Sequence, residues 1–231
     1  EQIDADLALL ASASVGTVRT YSTFGTLAQI PRLATNHKIK VTLGAWLGTD
    51  PRANDDEIAR AIELANSEPS VIRVIVGNET LLRKDLSPAE LIARLQRVRS
   101  AVRQPVSTAE PWHVWLQHPE LAEHVDYLAV HVLPYWEGIS IERAIDHVKE
   151  CIERLERAFP GKQIVITEIG WPSDGRMREA AVASHSNQSL FLRRFLRLAR
   201  DEGYLYYILE AFDQPWKART EGSAGAYWGL Y

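Results

Sequence analysis

Two apolar runs that each end in a glutamate constrain this chain more than any other feature. Ile164-Val-Ile-Thr-Glu168 continues into Ile169-Gly-Trp-Pro-Ser173, and Val71-Ile-Arg-Val-Ile-Val-Gly-Asn-Glu79 has the same form. The β-branched residues Ile164 to Ile166 read as a strand covered on both faces, as in a parallel sheet. Gly170 and Pro172 stop that strand, and Gly77 and Asn78 precede the glutamate of the other. An unpaired carboxylate is costly to bury, so a buried strand that ends in Glu implies a use for the group. Two glutamates at the C-terminal ends of two parallel strands are the raw material of two-carboxylate chemistry.

The rest of the chain alternates in the same rhythm. The patterns predict strands over residues 17–22, 41–47, 71–79, 106–111 and 127–134, one from Ile164, and one over 206–212. Helices are predicted over 1–13 and 27–36, and from an Asn54 N-cap to residue 65. Ser87-Pro-Ala-Glu90 forms a capping box for a helix to 102. Ser140 is expected to cap a long helix closed by Pro160-Gly161, and Gly203 to end one over 187–201. Strand–helix alternation without a break points to one parallel sheet. The pattern lacks the Gly-rich phosphate turn of a dinucleotide fold. Tyr21, Trp46, Glu79, Glu110, Tyr135, Glu168 and Glu210 fall at strand C-terminal ends, where an α/β (β/α)₈ TIM barrel builds its site. The expected architecture is a single barrel domain over 1–231. It has seven recognisable strands, one fewer than such a barrel requires.

Composition narrows the partners. With 231 residues, 46% hydrophobic, the chain suits one core. Its net charge is −4 and its Lys and Arg are scattered along polar helix faces, which argues against nucleic acid. Cys151 is the only cysteine and cannot form an internal disulfide. No run approaches the roughly 18 apolar residues of a spanning helix. The chain begins at Glu1 within a predicted helix, which reads as a piece cut from a longer protein.

Glu79 and Glu168 are the candidate catalytic pair, against the plainer reading of two salt-bridged carboxylates. Asn78 could donate to a sugar hydroxyl or serve only as a turn residue. Trp112, Trp115, Tyr135, Trp136, Trp171 and Trp216 could stack on sugar rings, the alternative being ordinary packing. Glu110 and Glu210 could bind hydroxyls or form ion pairs with Lys or Arg. His131 reads as a packed, hydrogen-bonded histidine, and His113, His118 and His124 lack metal-ligand spacing. No metal or cofactor is expected.

Val76-Gly-Asn-Glu79 and Ile166-Thr-Glu-Ile-Gly-Trp-Pro-Ser173 together resemble glycoside hydrolase family 17, the β-1,3-glucanases and β-1,3-glucanosyltransferases. Arg19-Thr-Tyr21, Val130-His-Val-Leu-Pro-Tyr-Trp136 and Glu210-Ala-Phe-Asp-Gln-Pro-Trp-Lys217 extend the likeness over nearly the whole chain. The resemblance implies a retaining enzyme with Glu79 as acid/base and Glu168 as nucleophile. It also implies that Tyr21, Asn78, Tyr135, Trp136 and Trp171 line the sugar site. Gln214 stands where many relatives carry Glu, and the resemblance implies that this chain starts at the family's first helix and lacks the barrel's first strand. The variant is most similar to bacterial glucan-processing domains. That likeness implies a periplasmic setting, membership of a longer membrane-associated protein, and sugar transfer over hydrolysis. A β-glucan is the expected partner, and the domain is expected to be a monomer. The main rival is a non-catalytic glucan-binding barrel; another is a metal-dependent barrel enzyme.

Overall fold

The computed structural model describes all 231 residues. Seven strands follow one another in parallel, in sheet order β1-β2-β3-β4-β5-β6-β7. They are β1 (Thr17–Arg19), β2 (Lys40–Ala45), β3 (Val71–Asn78), β4 (Val106–Pro111), β5 (Leu128–His131), β6 (Ile164–Ile169) and β7 (Leu205–Ile208). The helices are α1 (Gln2–Ser12), α2 (Ile30–Asn36), α3 (Pro51–Ser67), α4 (Pro88–Arg99), α5 (Trp112–Gln117), α6 (Ala144–Ala158), α7 (His185–Glu202) and the short α8 (Ala218–Glu221). The chain divides into two compact units, Glu1–Ala129 and Val130–Tyr231.

In the first unit β2 is buried without interruption from Val41 to Ala45, which matches its apolar run. Gly44 is required there. A Cβ on it would meet the Thr20 carbonyl oxygen at 2.2 Å, so β1 and β2 close up only because the side chain is absent. β3 pairs with β2 in parallel, Ala45 opposite Val76. Gly77 has φ +87 and opens the turn that ends the strand.

Two helix starts differ from expectation, for local reasons. Asp50 caps α3 by accepting from the Arg52 and Ala53 amides, with Pro51 at the first position. Asn54, expected as the cap, is instead buried and hydrogen-bonds the Gly48 amide and carbonyl, tying the loop after β2 to the helix. Ser140 does not cap α6 either; residues 140–143 form a turn and the helix begins at Ala144. The capping box at Ser87–Glu90 is present as read, and Gly203 ends α7 in the left-handed conformation.

In the second unit β6 is buried from Val165 to Ile169. The Val132 amide donates to the Glu168 carbonyl at 3.0 Å, so the end of β5 lies beside β6. β7 pairs with β6 on its other side. Gly170 lets the chains approach, since a Cβ there would meet the Leu209 carbonyl at 2.3 Å. α6 packs Ala144, Val148, Cys151, Ile152 and Leu155 inward. Cys151 is therefore core, and burial pushes its thiol pKa up, away from reactivity. The aromatic tail is packed at Trp228, which is 1% exposed, while Tyr231 is open.

Candidate active site

The carboxylates sit where the two motifs place them. In the first unit Glu79 is the first residue after β3. Its backbone lies in the left-handed region, φ 52, which costs a non-glycine residue about 1–2 kcal/mol. Its amide donates to the Ala109 carbonyl at 2.7 Å, and its own carbonyl accepts from the Arg83 amide at 2.8 Å. Backbone held in such a conformation by its surroundings is a mark of functional positions.

Asn78, 9% exposed, accepts a short hydrogen bond on its side-chain oxygen from Arg19. That leaves its amide NH₂ to donate. Arg19 also lies over the Tyr21 ring, 4.4 Å from the centroid, and Tyr21 is half-buried. On the other side Arg83 donates to the Asn78 carbonyl, to the Leu47 carbonyl at 2.8 Å and to Asp85 at 2.8 Å. Glu110 is fully buried and accepts from the Leu81 and Leu82 amides at 2.8 and 3.3 Å. Glu110, expected to bind a sugar hydroxyl or pair with Lys or Arg, ties the turn after Glu79 with its carboxylate through these two amides. Trp112 and Trp115, candidates for stacking on sugar, lie in helix α5 and are 9% and 0% exposed. Both are packing residues, and the Trp115 indole donates to the Ala129 carbonyl.

The role of Glu110 gives a measurable expectation. Glu110→Ala orphans the buried Leu81 amide and should lower unfolding free energy by about 1–3 kcal/mol. Urea denaturation checks it.

In the second unit Glu168 ends the apolar part of β6 and is 6% exposed. His131, at the end of β5 and 1% exposed, brings Nε2 within 3.3 Å of a Glu168 oxygen. A buried imidazole in that place orients the carboxylate. Glu210 lies nearby in the chain's last strand–loop junction and is held by Lys217, whose ammonium reaches its two oxygens at 2.8 and 2.7 Å. The ion-pair reading of Glu210 is thus the observed one. Burial pushes its carboxyl above the usual range, Lys217 pulls it back, and the charges of Glu168 and Asp213 push the same way as burial. Gln214 accepts from the Trp216 indole at 2.8 Å, and Trp216 is 62% exposed.

The aromatic loop residues divide. Trp136 is half-buried, stacks on Trp228 at 5.6 Å, and has the Arg178 guanidinium 5.7 Å from its ring. Tyr135 and Trp171, expected to be partly open to sugar, are 0% exposed. Their polar tips are satisfied by backbone: the Tyr135 hydroxyl donates to the Arg176 carbonyl and the Trp171 indole to Val182 at 3.0 Å. They meet edge to face at 5.5 Å beneath these loops, while Trp136 is half-buried and Trp216 is open. Sequence reading missed Arg19 and Arg83 as members of the site. The signal was an arginine within the first strand and another four residues after Glu79.

With this geometry in place, comparison with known proteins is specific. The BtgE/BtgC glycoside hydrolase domain family matches residues 1–229. A glucan 1,3-beta-glucosidase of Arthroderma benhamiae is 28% identical over 93% of this chain and 76% of its own length. A cell surface mannoprotein of Candida albicans is 26% identical over 100% of this chain, which spans 61% of that relative. Among solved structures, the glycoside hydrolase family 17 β-1,3-glucanosyltransferase of Rhizomucor miehei superposes with a TM-score of 0.89 at 26% identity, over 99% of this chain and 85% of its own. The fold is therefore that (β/α)-barrel class, here with seven strands. The narrower likeness to bacterial glucan-processing domains finds no support in these relatives.

Proposed function

The chain belongs to the BtgE/BtgC glycoside hydrolase domain family, of the glycoside hydrolase family 17 kind, and from that premise we propose a retaining enzyme that cleaves β-1,3-glucan and transfers the glycosyl unit. The observation that carries the proposal is Glu168, a carboxylate left 6% exposed at the end of β6 beside a buried histidine. Nothing in packing alone calls for a carboxylate there.

Glu168 is the nucleophile in this reading. It attacks the anomeric carbon while Glu79 gives a proton to the departing glycosidic oxygen. A covalent glycosyl–Glu168 ester results. Glu79, now a carboxylate, takes the proton from water or from a sugar hydroxyl, and that oxygen displaces Glu168. Asn78 donates its amide to a substrate hydroxyl; Tyr21, Trp136 and Trp216 offer ring faces. Glu210 holds Lys217 rather than substrate. We read the two compact units as one catalytic domain, because the family match runs across both.

The relatives include a cell surface protein, which supports an extracytoplasmic setting, the periplasm in a cell that has one. No helix is long and apolar enough to cross a membrane. A longer membrane-associated protein carrying this domain, acting as a monomer, completes the proposal.

The test is incubation with laminari-oligosaccharides of defined length and separation of products by mass. Products longer than the donor are expected. Shorter products alone restrict the enzyme to hydrolysis, and an unchanged substrate overturns the reading.

A further inference from the structure

Two arginines in the first unit share one arrangement around the Asn78–Glu79 turn. Each uses a guanidinium face to hold an aromatic ring and its N–H edge to hold the turn. Arg19 lies under Tyr21 and bonds the Asn78 side chain. Arg83 lies 4.3 Å from the centre of the Trp46 ring and bonds the Asn78 carbonyl. The Arg83 amide also takes the Glu79 carbonyl at 2.8 Å, so this one residue brackets the strained glutamate peptide. Asp85 fixes the guanidinium at 2.7 and 2.8 Å, and the Leu47 carbonyl at 2.8 Å completes its fork.

Trp46 is the first residue past β2, and the register Ala45 opposite Val76 puts it level with Gly77 on the next strand. It is 41% exposed, whereas its neighbours Ala45 and Leu47 are 1% and 0% exposed. A large indole left open beside a catalytic turn, with one face backed by a cation, presents its other face to the outside. The C–H face of a glucosyl ring is apolar and suits such a surface, with its hydroxyl edge left in water.

Resting on the proposed function, we infer that Trp46 is a glucosyl-stacking platform and that Arg83 is the positioning residue joining this platform to the Glu79 turn. Binding of a sugar ring on Trp46 then bears directly on the same guanidinium that holds the Asn78 carbonyl. Arg83 touches no reacting atom. A lysine cannot replace it, having neither the planar fork nor the stacking face.

The experiment titrates laminarihexaose, by intrinsic fluorescence and calorimetry, onto Glu168→Ala protein and onto Glu168→Ala/Trp46→Ala protein. Affinity about tenfold weaker in the double variant is expected, a loss of the size of one stacked anchor. Equal affinity in both overturns the platform and leaves the proposed function standing. No binding to either overturns both. Arg83→Lys, made in the active enzyme, is expected to raise KM for laminarihexaose as Trp46→Ala does and also to lower kcat, which Trp46→Ala affects far less. A merely structural arginine would lower the unfolding midpoint without that split, and wild-type KM and kcat in Arg83→Lys overturn the coupling. The Trp46 arm stands whether or not Arg83→Lys folds.

Discussion

Glu168→Ala is expected to reduce turnover of laminari-oligosaccharides by about 10⁴-fold or more, the scale seen when a covalent nucleophile is removed. The methyl group cannot attack the anomeric carbon, and water in its place is far weaker. The fold should persist. Glu168 contributes one buried side chain beside His131, and β6 is held by its ladder to β7 and by the buried Val165, Ile166 and Ile169. The space vacated by the carboxylate admits a small anion. Azide should therefore restore turnover of an aryl β-glucan glycoside with a good leaving group. Its single displacement inverts the anomeric centre, so the product is the α-glycosyl azide. Mass and proton NMR of that product check the assignment. Near-normal activity of the variant on natural glucan would sink it.

Much of this site was legible in the sequence because its logic is local. A β-branched run that ends in Glu can be read without knowing the fold, and both glutamates stand at the ends of β3 and β6. The capping box at Ser87–Glu90 was legible for the same reason, since all its partners lie within four residues. What was not legible depends on partners distant in the chain. Arg83 reaches back to Leu47 and stacks on Trp46, and Arg19 reaches forward to Asn78. Glu110 looked like a sugar ligand because it closes β4 as Glu168 closes β6. Only the folded chain shows the Leu81 and Leu82 amides pointing at it. Tyr135 and Trp171 misled for a related reason: an aromatic residue after a strand has the same sequence signature whether its loop folds outward or back over the core. Asn54 was expected as a helix cap on propensity, but Asp50-Pro51 supplied a stronger start four residues earlier, which freed Asn54 to bind the Gly48 loop.

Glu79→Ala carries the other large effect, and its signature separates acid/base from nucleophile. General acid catalysis contributes about 10²–10⁴-fold where the leaving group is poor, so turnover of natural glucan should fall by that much. An aryl glycoside with a good leaving group needs no proton, so the first step should survive. The second step still lacks its base. The glycosyl–Glu168 ester should then accumulate, giving a burst of released phenol followed by a slow steady state, with an apparent KM well below that of the wild type. Trapping by acid quench and intact mass should show one added glycosyl unit on the protein. Azide, which needs no base, should speed this second step as well. Here it arrives after Glu168 has already displaced the leaving group once, so two inversions give the β-glycosyl azide. The same anion thus yields opposite anomers from the two variants if Glu168 attacks and Glu79 moves the proton. The α-azide from Glu79→Ala, or no burst on the activated substrate, would mean that the two roles are exchanged or that no covalent intermediate forms.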